Sequence, residues 1–370
     1  MNESIPMSLP DINEDDIQGV VEVLRSGRLA LGPKTEEFER LISEYVGVDF
    51  AVAVNSGTSA LHLIVKSLGL GKGDEVLVPS FTFASSVNAL LYEGVTPVFV
   101  DIETDTGNID PGDLERRITS RTKAIVVVDV FGHPVEWDEI NRIAGKHNLM
   151  VIDDSCEALG STYKGIKMGK FGDAAAFAFY PNKQITTGEG GIIVTDNPDI
   201  ARICRSLRNQ GRNEMGAWLE HERLGYNYRI DEMSAALGAS QIKRIDSFIA
   251  KREKVAHMYT NRLADIDWVR TPVVKPGVRM SWFVYVISVS PGINRDNIMQ
   301  QLEKEGIPTR NYFSPVHLQK YIREMFGTHE GLLPVTESLA SRTISLPFHA
   351  NLSELQVERV VEVLCRCVPM

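Results

Sequence analysis

The chain of 370 residues contains only four cysteines, which are too few for a disulfide-stapled scaffold. Two of them form Cys365-Arg366-Cys367, which lacks both the two-residue gap and the second pair of a zinc site. No pair of histidines has metal-ligand spacing either. The sequence therefore predicts reduced thiols and no metal centre.

Long apolar runs and an excess of positive charge are missing too. No stretch approaches the length of apolar sequence that spans a bilayer, and the first residues lack the basic and apolar regions of a signal peptide. We therefore expect a cytoplasmic protein with no membrane partner. The formal net charge of −10 argues against a nonspecific nucleic-acid surface, although a locally basic pocket could still bind an anionic small molecule.

Motifs of two common chemistries are also lacking. No serine lies in a nucleophile elbow, which disfavours a hydrolase. The glycine-rich residues 69–74 follow a helical pattern and precede a strand, which is the wrong context for a phosphate-binding loop. We interpret this segment as a helix stop and connector.

Apolar patterns are what the chain has in abundance, at 43% hydrophobic residues. Short apolar runs alternate with helical patterns, which predicts an α/β fold with a mostly parallel sheet flanked by helices. The predicted strands are 51–54, 75–78, 95–100, 124–130, 150–152, 174–179 and 191–195. Residues 234–257 are predicted to be helical, and the tail, with a strand at 282–289 and helices at 296–305 and 353–364, reads as a smaller α+β domain.

Two residues carry the strongest chemical indication. Lys183 lies in a glycine-rich loop after a predicted strand, 29 residues beyond Asp154, which ends another strand. Pyridoxal phosphate (PLP) needs a lysine to form its Schiff base and an acid to keep its ring nitrogen protonated. Alone, the lysine would be a solvated loop residue and the aspartate a turn residue or cap. Together they predict a PLP site at the carboxyl edge of the sheet.

The segment Asn55-Ser56-Gly57-Thr58 is a candidate for the phosphate end of the cofactor. It lies between a predicted strand and the helix that begins near Ser59, and helix amino termini attract anions. A plain helix cap by Ser56 or Thr58 is the alternative.

The order of several motifs resembles the DegT/DnrJ/StrS-type nucleotide-sugar aminotransferases, which are fold-type I PLP enzymes. The likeness extends almost from end to end and rests on residues 55–61, 79–83, 152–158, 179–191 and 224–229. It implies a large PLP-binding domain at residues 1–250 and a small C-terminal α+β domain at 251–370.

The resemblance also implies roles for individual residues. Lys183 and Asp154 are the catalytic pair, and Phe83 stacks on the cofactor ring. The other implied cofactor contacts are Gly57, Thr58, Glu157 and, toward the phosphate of the neighbouring subunit, Asn227. His317 is implied as a sugar contact.

Two positions depart from the commoner family pattern. The usual phosphate-binding serine is Ala178 here, so one hydroxyl donor is missing. The usual glutamine after the aspartate is Glu157, which donates a hydrogen bond to the cofactor's phenolic oxygen only when it is protonated.

By this resemblance the chain is a homodimeric aminotransferase that moves nitrogen from L-glutamate to a nucleotide-linked keto-sugar, with an active site shared between subunits. A PLP-dependent sugar dehydratase is an alternative, but those relatives carry histidine in place of the lysine. A catalytically silent relative is another, although Lys183 and Asp154 are both present.

Overall fold

The computed structural model describes residues 4–213 and 220–368. Its main sheet contains Phe50–Val54 (β1), Glu75–Pro79 (β2), Thr96–Val100 (β3), Thr122–Val128 (β4), Met150–Asp154 (β5), Ala174–Ala178 (β8) and Gly191–Thr195 (β9). The strand order is β1-β9-β8-β5-β4-β2-β3. The neighbours from β8 to β3 pair in parallel, whereas β9 is antiparallel to both β1 and β8. The prediction of a mostly parallel sheet is confirmed.

Helices cover both faces of this sheet, which is why its strands are almost continuously apolar and buried. They are Glu14–Ser26 (α1), Pro33–Val46 (α2), Gly57–Ser67 (α3), Ser85–Tyr92 (α4), Pro111–Arg116 (α5), Trp137–His147 (α6), Pro198–Arg208 (α7), Glu232–Ile242 (α8) and Ile245–Leu263 (α9). A short 3-10 turn occupies Val130–Gly132. Two small strands, Thr162–Tyr163 (β6) and Ile166–Lys167 (β7), form a second sheet with Val278–Arg279 (β11).

The C-terminal part has its own sheet and its own apolar core. Val269–Arg270 (β10), Tyr285–Val289 (β12) and Thr343–Leu346 (β13) pair antiparallel. The helices here are Arg295–Lys304 (α10), Lys320–Phe326 (α11), Pro334–Ala340 (α12) and Glu354–Arg366 (α13), and Val316–Leu318 is a 3-10 turn. Helix α9 runs unbroken past residue 250, so the division into domains 1–250 and 251–370 stays a prediction.

Some boundaries differ from those predicted. Residues 234–257 lie in two helices rather than one, because the backbone at Arg244 leaves helical values with φ −112° and ψ 4°. The predicted strand 282–289 begins only at Tyr285, because Trp282 has a left-handed φ of 56°. Strand β5 continues to Asp154 itself. In the described part of the chain, we find no helix with the length and apolarity to cross a membrane.

Candidate active site

The carboxyl edge of the main sheet brings together residues that are far apart in sequence. Strand β5 ends with Asp154, and the neighbouring strand β8 ends with Ala178. Helix α3 follows β1 and begins at Gly57. Ligands of open α/β sheets bind at this edge, so the structure places the predicted site where the fold favours one.

Lys183 lies on the loop after β8, with its side chain only 12% exposed. Its Nζ is 3.7 Å from Oε1 of Glu157 and 3.8 Å from the ring centroid of Phe283, which comes from the C-terminal part. A carboxylate and an aromatic face both attract an ammonium group. The amine is therefore directed into the crevice rather than into solvent.

Asp154 is buried, and donors fix its carboxylate. The hydroxyl of Ser86 donates to Oδ2 at 2.6 Å, and the Cys156 N–H donates to Oδ1 at 3.3 Å. The Ser86 hydroxyl is itself 2.8 Å from the hydroxyl of Thr82. Helix α4 and the residues just before it thus orient the acid that we expect to face the ring nitrogen.

The surroundings of Glu157 affect whether this acid can donate a hydrogen bond. Its Oε2 accepts the N–H of Phe131 at 2.8 Å, and Phe131 adopts a left-handed φ of 59°. Burial raises the pKa of Glu157 above its ordinary value, and the nearby charge of Lys183 opposes that rise. A buried carboxyl with a raised pKa takes up a proton more readily, so this acid has access to the protonated form that donates hydrogen bonds.

The start of helix α3 is a cradle that only glycine fits. The side chain of Ser56 caps the helix by accepting the N–H of Ser59 at 3.1 Å. A Cβ on Gly57 would lie 2.7 Å from Cβ of Ala178 and 3.1 Å from Sγ of Cys156. The methyl group of Ala178 therefore packs against the first turn of the helix, the end at which we expect an anion to bind.

We expect Gly57→Ala to weaken PLP binding, because overpacking at this contact costs about 1–3 kcal/mol and displaces the helix amino terminus. A titration of apo-protein with PLP, followed by absorbance, measures the dissociation constant. Gly145→Ala is the matched control, since an added Cβ there, in the last turn of helix α6, meets nothing within 4 Å. Equal affinities for the two variants would contradict the role of Gly57.

Phe83 and Asn227 have the exposure that their predicted contacts require. Phe83 lies between β2 and α4 and is 65% exposed, which is unusual for a phenylalanine. Asn227 is exposed, and its backbone bridges to Asn209. Thr58, in the first turn of α3, is half-buried. Stacking by Phe83 and a phosphate contact across subunits by Asn227 stay predictions.

His317, the predicted sugar contact, is enclosed by polar partners of its own. Its side chain is fully buried, with Nδ1 2.7 Å from the Ser80 hydroxyl and Nε2 3.1 Å from Glu337. Burial lowers the pKa of this histidine. Both ring nitrogens are occupied, so the expectation of a direct sugar contact does not fit this geometry. The Ser80 hydroxyl is also fully buried and accepts the His317 N–H at 2.9 Å, so this serine is no exposed nucleophile.

A pair of acids lies directly behind Asp154. Asp129, Asp153 and Ser155 are fully buried, and the Ser155 hydroxyl is 2.7 Å from one carboxyl and 2.8 Å from the other. One hydroxyl proton satisfies only one acceptor, so the other carboxyl must donate to the serine. Burial raises the pKa of Asp129 to about 7 and the pKa of Asp153 well above its ordinary value. The geometry and the raised pKa values favour a proton that the pair shares in the folded protein.

Asp129→Asn should remove the pH dependence of folding stability that this proton causes. A raised pKa means that the folded state holds a proton that the unfolded state releases, so wild-type stability falls as pH rises from the ordinary pKa of 3.8 to about 7. The amide keeps an acceptor for the Val135 N–H and a donor for Ser155 without needing that proton.

Urea unfolding of wild type and of the Asp129→Asn variant across this pH range tests the prediction. The free energy of unfolding of the variant should increase relative to that of wild type as pH rises toward 7, and the difference should stay constant above that pH. Asp138→Asn, at an exposed aspartate, serves as the control. A difference between the variant and wild type that does not change with pH would exclude the shared proton.

Sequence reasoning missed Ser86, Phe283 and Arg252. Ser86 lies only three residues beyond the motif at 79–83, so its closeness to that motif could have indicated it. Phe283 and Arg252 are distant in sequence from Lys183 and carry no local pattern that would have revealed them. Among the described residues, no group of histidine, cysteine or acidic side chains could hold a metal ion.

The sequence matches the DegT/DnrJ/EryC1/StrS aminotransferase family over residues 10–365. The chain belongs to this family. It is 39% identical over 374 residues to the spore coat polysaccharide biosynthesis protein SpsC of Bacillus subtilis, covering 98% of this chain and 96% of SpsC. It is 38% identical over 368 residues to the GDP-perosamine synthase of Caulobacter vibrioides, with 97% of each chain covered.

Solved structures agree with the sequence comparison. The PLP form of Spr1654 from Streptococcus pneumoniae superposes with a TM-score of 0.94 at 31% identity, covering 99% of this chain and all of that one. The fold-type I architecture, the aminotransferase class and the PLP cofactor are thereby confirmed for this family member. The residues described above fit PLP, with an amine at Lys183, an acid at Asp154 and a glycine cradle at Gly57.

Proposed function

We propose that this enzyme transfers an amino group from L-glutamate to a keto-sugar that carries a nucleoside diphosphate. The observation that carries the proposal is the convergence of Lys183 and Asp154 on one crevice, where Glu157 is within electrostatic reach of both. The likeness to a GDP-perosamine synthase supports a nucleotide-linked acceptor. The likeness to SpsC supports a product used in a polysaccharide.

In such a reaction the side chains of Lys183, Asp154 and Glu157 have different roles. Bound PLP supplies an electron sink for the pair of electrons left at the donor's α-carbon. Lys183 anchors the cofactor and, once its amine is free, moves the proton from that α-carbon. Asp154, held by Ser86, keeps a proton on the ring nitrogen. Glu157, with its raised pKa, offers a hydrogen bond beside Lys183.

We further propose a cytoplasmic homodimer in which Asn227 reaches the cofactor phosphate of the partner subunit. The exposed position of Asn227 and the exposed ring of Tyr180, at 53%, support a surface that another copy covers. With Ala178 in place of the serine, the phosphate depends more on Thr58, on the backbone N–H groups of α3 and on Asn227.

The test is the visible spectrum of the purified protein with PLP, before and after L-glutamate is added without any sugar. We expect a cofactor band that glutamate bleaches, with release of 2-oxoglutarate. A panel of keto-sugar nucleotides then identifies the acceptor by return of the band. A band that no amino donor changes would contradict the transamination and favour a dehydratase or a silent relative.

A further inference from the structure

Arg252 of helix α9 is a buried cation whose guanidinium contacts two distant segments of backbone. It is only 4% exposed. Its Nη2 donates to the carbonyl of Lys183 at 2.8 Å and lies 3.5 Å from that of Asn182. Its Nη1 donates to the carbonyls of Trp282 and Phe283, each at 3.2 Å. One side chain therefore ties the Lys183 loop to the segment that precedes strand β12.

No carboxylate among the described residues forms an ion pair with Arg252, which is unusual for a buried arginine. Burial lowers its pKa to about 10. His349 packs nearby without hydrogen bonds at either ring nitrogen, and burial together with the Arg252 charge lowers its pKa to about 4. The cation is thus stabilised by carbonyl dipoles, and its hydrogen bonds depend directly on where those carbonyls lie.

The second segment held by Arg252 also contacts the lysine side chain. The carbonyl of Phe283 accepts from Arg252, while the ring of the same residue lies 3.8 Å from Nζ of Lys183. The preceding residue, Trp282, has a φ of 56°, which is rare for a bulky side chain. A backbone in that conformation persists only when its surroundings hold it, and Arg252 is bonded to its carbonyl.

We propose that Arg252 is a positioning residue that sets the place of the Lys183 amine. It fixes the lysine backbone and the Phe283 ring relative to each other, and so it directs Nζ toward Glu157. The inference rests on the proposed role of Lys183. Arg252 acts through the lysine and the phenylalanine and touches neither substrate nor cofactor in this role.

The variants Arg252→Met and Arg252→Lys test the proposal. Methionine removes all the donors, whereas lysine keeps a charge and three donors without the planar fork, so it can hold only part of the contacts. We expect kcat to fall about 10²-fold in the methionine variant, because misplacing a catalytic group by about 1 Å lowers the rate by about this factor. In the lysine variant, which keeps part of the contacts, we expect a fall of about 10-fold. The KM for L-glutamate should change little.

Two further readouts do not depend on turnover. Borohydride reduction followed by mass spectrometry gives the rate at which PLP becomes attached to Lys183, and this rate should fall in parallel with kcat. Hydrogen exchange of the apo-protein should show faster uptake in the loop around residues 180–188. Arg262→Met is the matched control, because Arg262 lies on the same helix and pairs with Glu354 and Glu358 at the surface.

A role in stability alone predicts a lower melting temperature with wild-type attachment rate and wild-type kcat per folded molecule, and that result would overturn the proposal. If the methionine variant fails to fold, the lysine variant decides by the same measurements. A wild-type protein that never attaches PLP at Lys183 would instead contradict the proposed function itself. Normal attachment in wild type and in both Arg252 variants would contradict only the positioning role.

Discussion

Replacing Lys183 by alanine is expected to lower turnover by about 10⁴-fold while the protein still folds. In the proposed mechanism the amine both anchors the cofactor and moves the proton, so no neighbour can take over both tasks. Glu157 loses its cationic neighbour in this variant, and because that charge opposes the rise that burial produces, the pKa of the buried carboxyl rises further. A higher pKa favours the neutral carboxyl, which is why we expect the variant to fold.

The measurement is the rate of 2-oxoglutarate release from L-glutamate, together with the melting temperature and the fraction of protein that borohydride links to PLP. Lys123→Ala is the control, since Lys123 is exposed at the opposite end of the sheet, in strand β4. We expect wild-type values for the control and no linkage for the Lys183 variant. Turnover by the Lys183 variant within tenfold of wild type would refute the assignment.

The positions of Asp154 and Lys183 could be predicted from the sequence for a physical reason. Strands β5 and β8 are short apolar runs because helices bury both of their faces, and such runs are visible without a structure. A polar residue at the carboxyl end of each run then lies at the ligand edge of a parallel sheet. Local pattern and global topology give the same answer here.

The partners of Lys183 could not be predicted in this way. Arg252 stands in the segment Lys251-Arg252-Glu253-Lys254, which reads as a solvated helix face, yet its side chain points inward while Lys251 is exposed. Phe283 follows a residue whose backbone leaves the strand pattern. His317 is the opposite case, since its motif indicated a ligand contact while Ser80 and Glu337 bond to its two ring nitrogens. Packing across long sequence distances decided all three.

At Glu157, which departs from the family pattern, the structure adds information on a hydrogen-bonding role that the sequence left open. From sequence alone an acid in place of the usual glutamine lacks a hydrogen-bond donor at neutral pH. The fold buries it against the left-handed backbone of Phe131, and its pKa rises. Burial thus favours the protonated acid, which can donate a hydrogen bond as the amide of glutamine does.

Asp154→Asn is the second variant with a large expected effect, because it removes one negative charge and leaves the shape of the side chain almost unchanged. The amide has the shape of the carboxylate and keeps an acceptor for the Cys156 N–H, and its NH₂ can donate to the Ser86 hydroxyl. It cannot hold a proton on the cofactor's ring nitrogen. We expect the protein to fold and to retain PLP, with kcat lowered about 10³-fold, as for the loss of one preorganised electrostatic contact.

The deciding measurement compares the affinity for PLP with the rate of the reaction with L-glutamate in the same sample. PLP affinity should stay within about tenfold of wild type, which corresponds to about 1.4 kcal/mol, while the rate at which L-glutamate bleaches the cofactor band falls far more. Asp105→Asn, at an exposed aspartate paired with Arg270, controls for loss of a surface charge. A bleaching rate close to wild type would mean that the ring nitrogen needs no acid here and that Asp154 only anchors Ser86. A loss of PLP affinity with an unchanged bleaching rate at saturating PLP would make it a binding residue alone, because only an interaction that strengthens in the transition state changes the rate of the loaded enzyme.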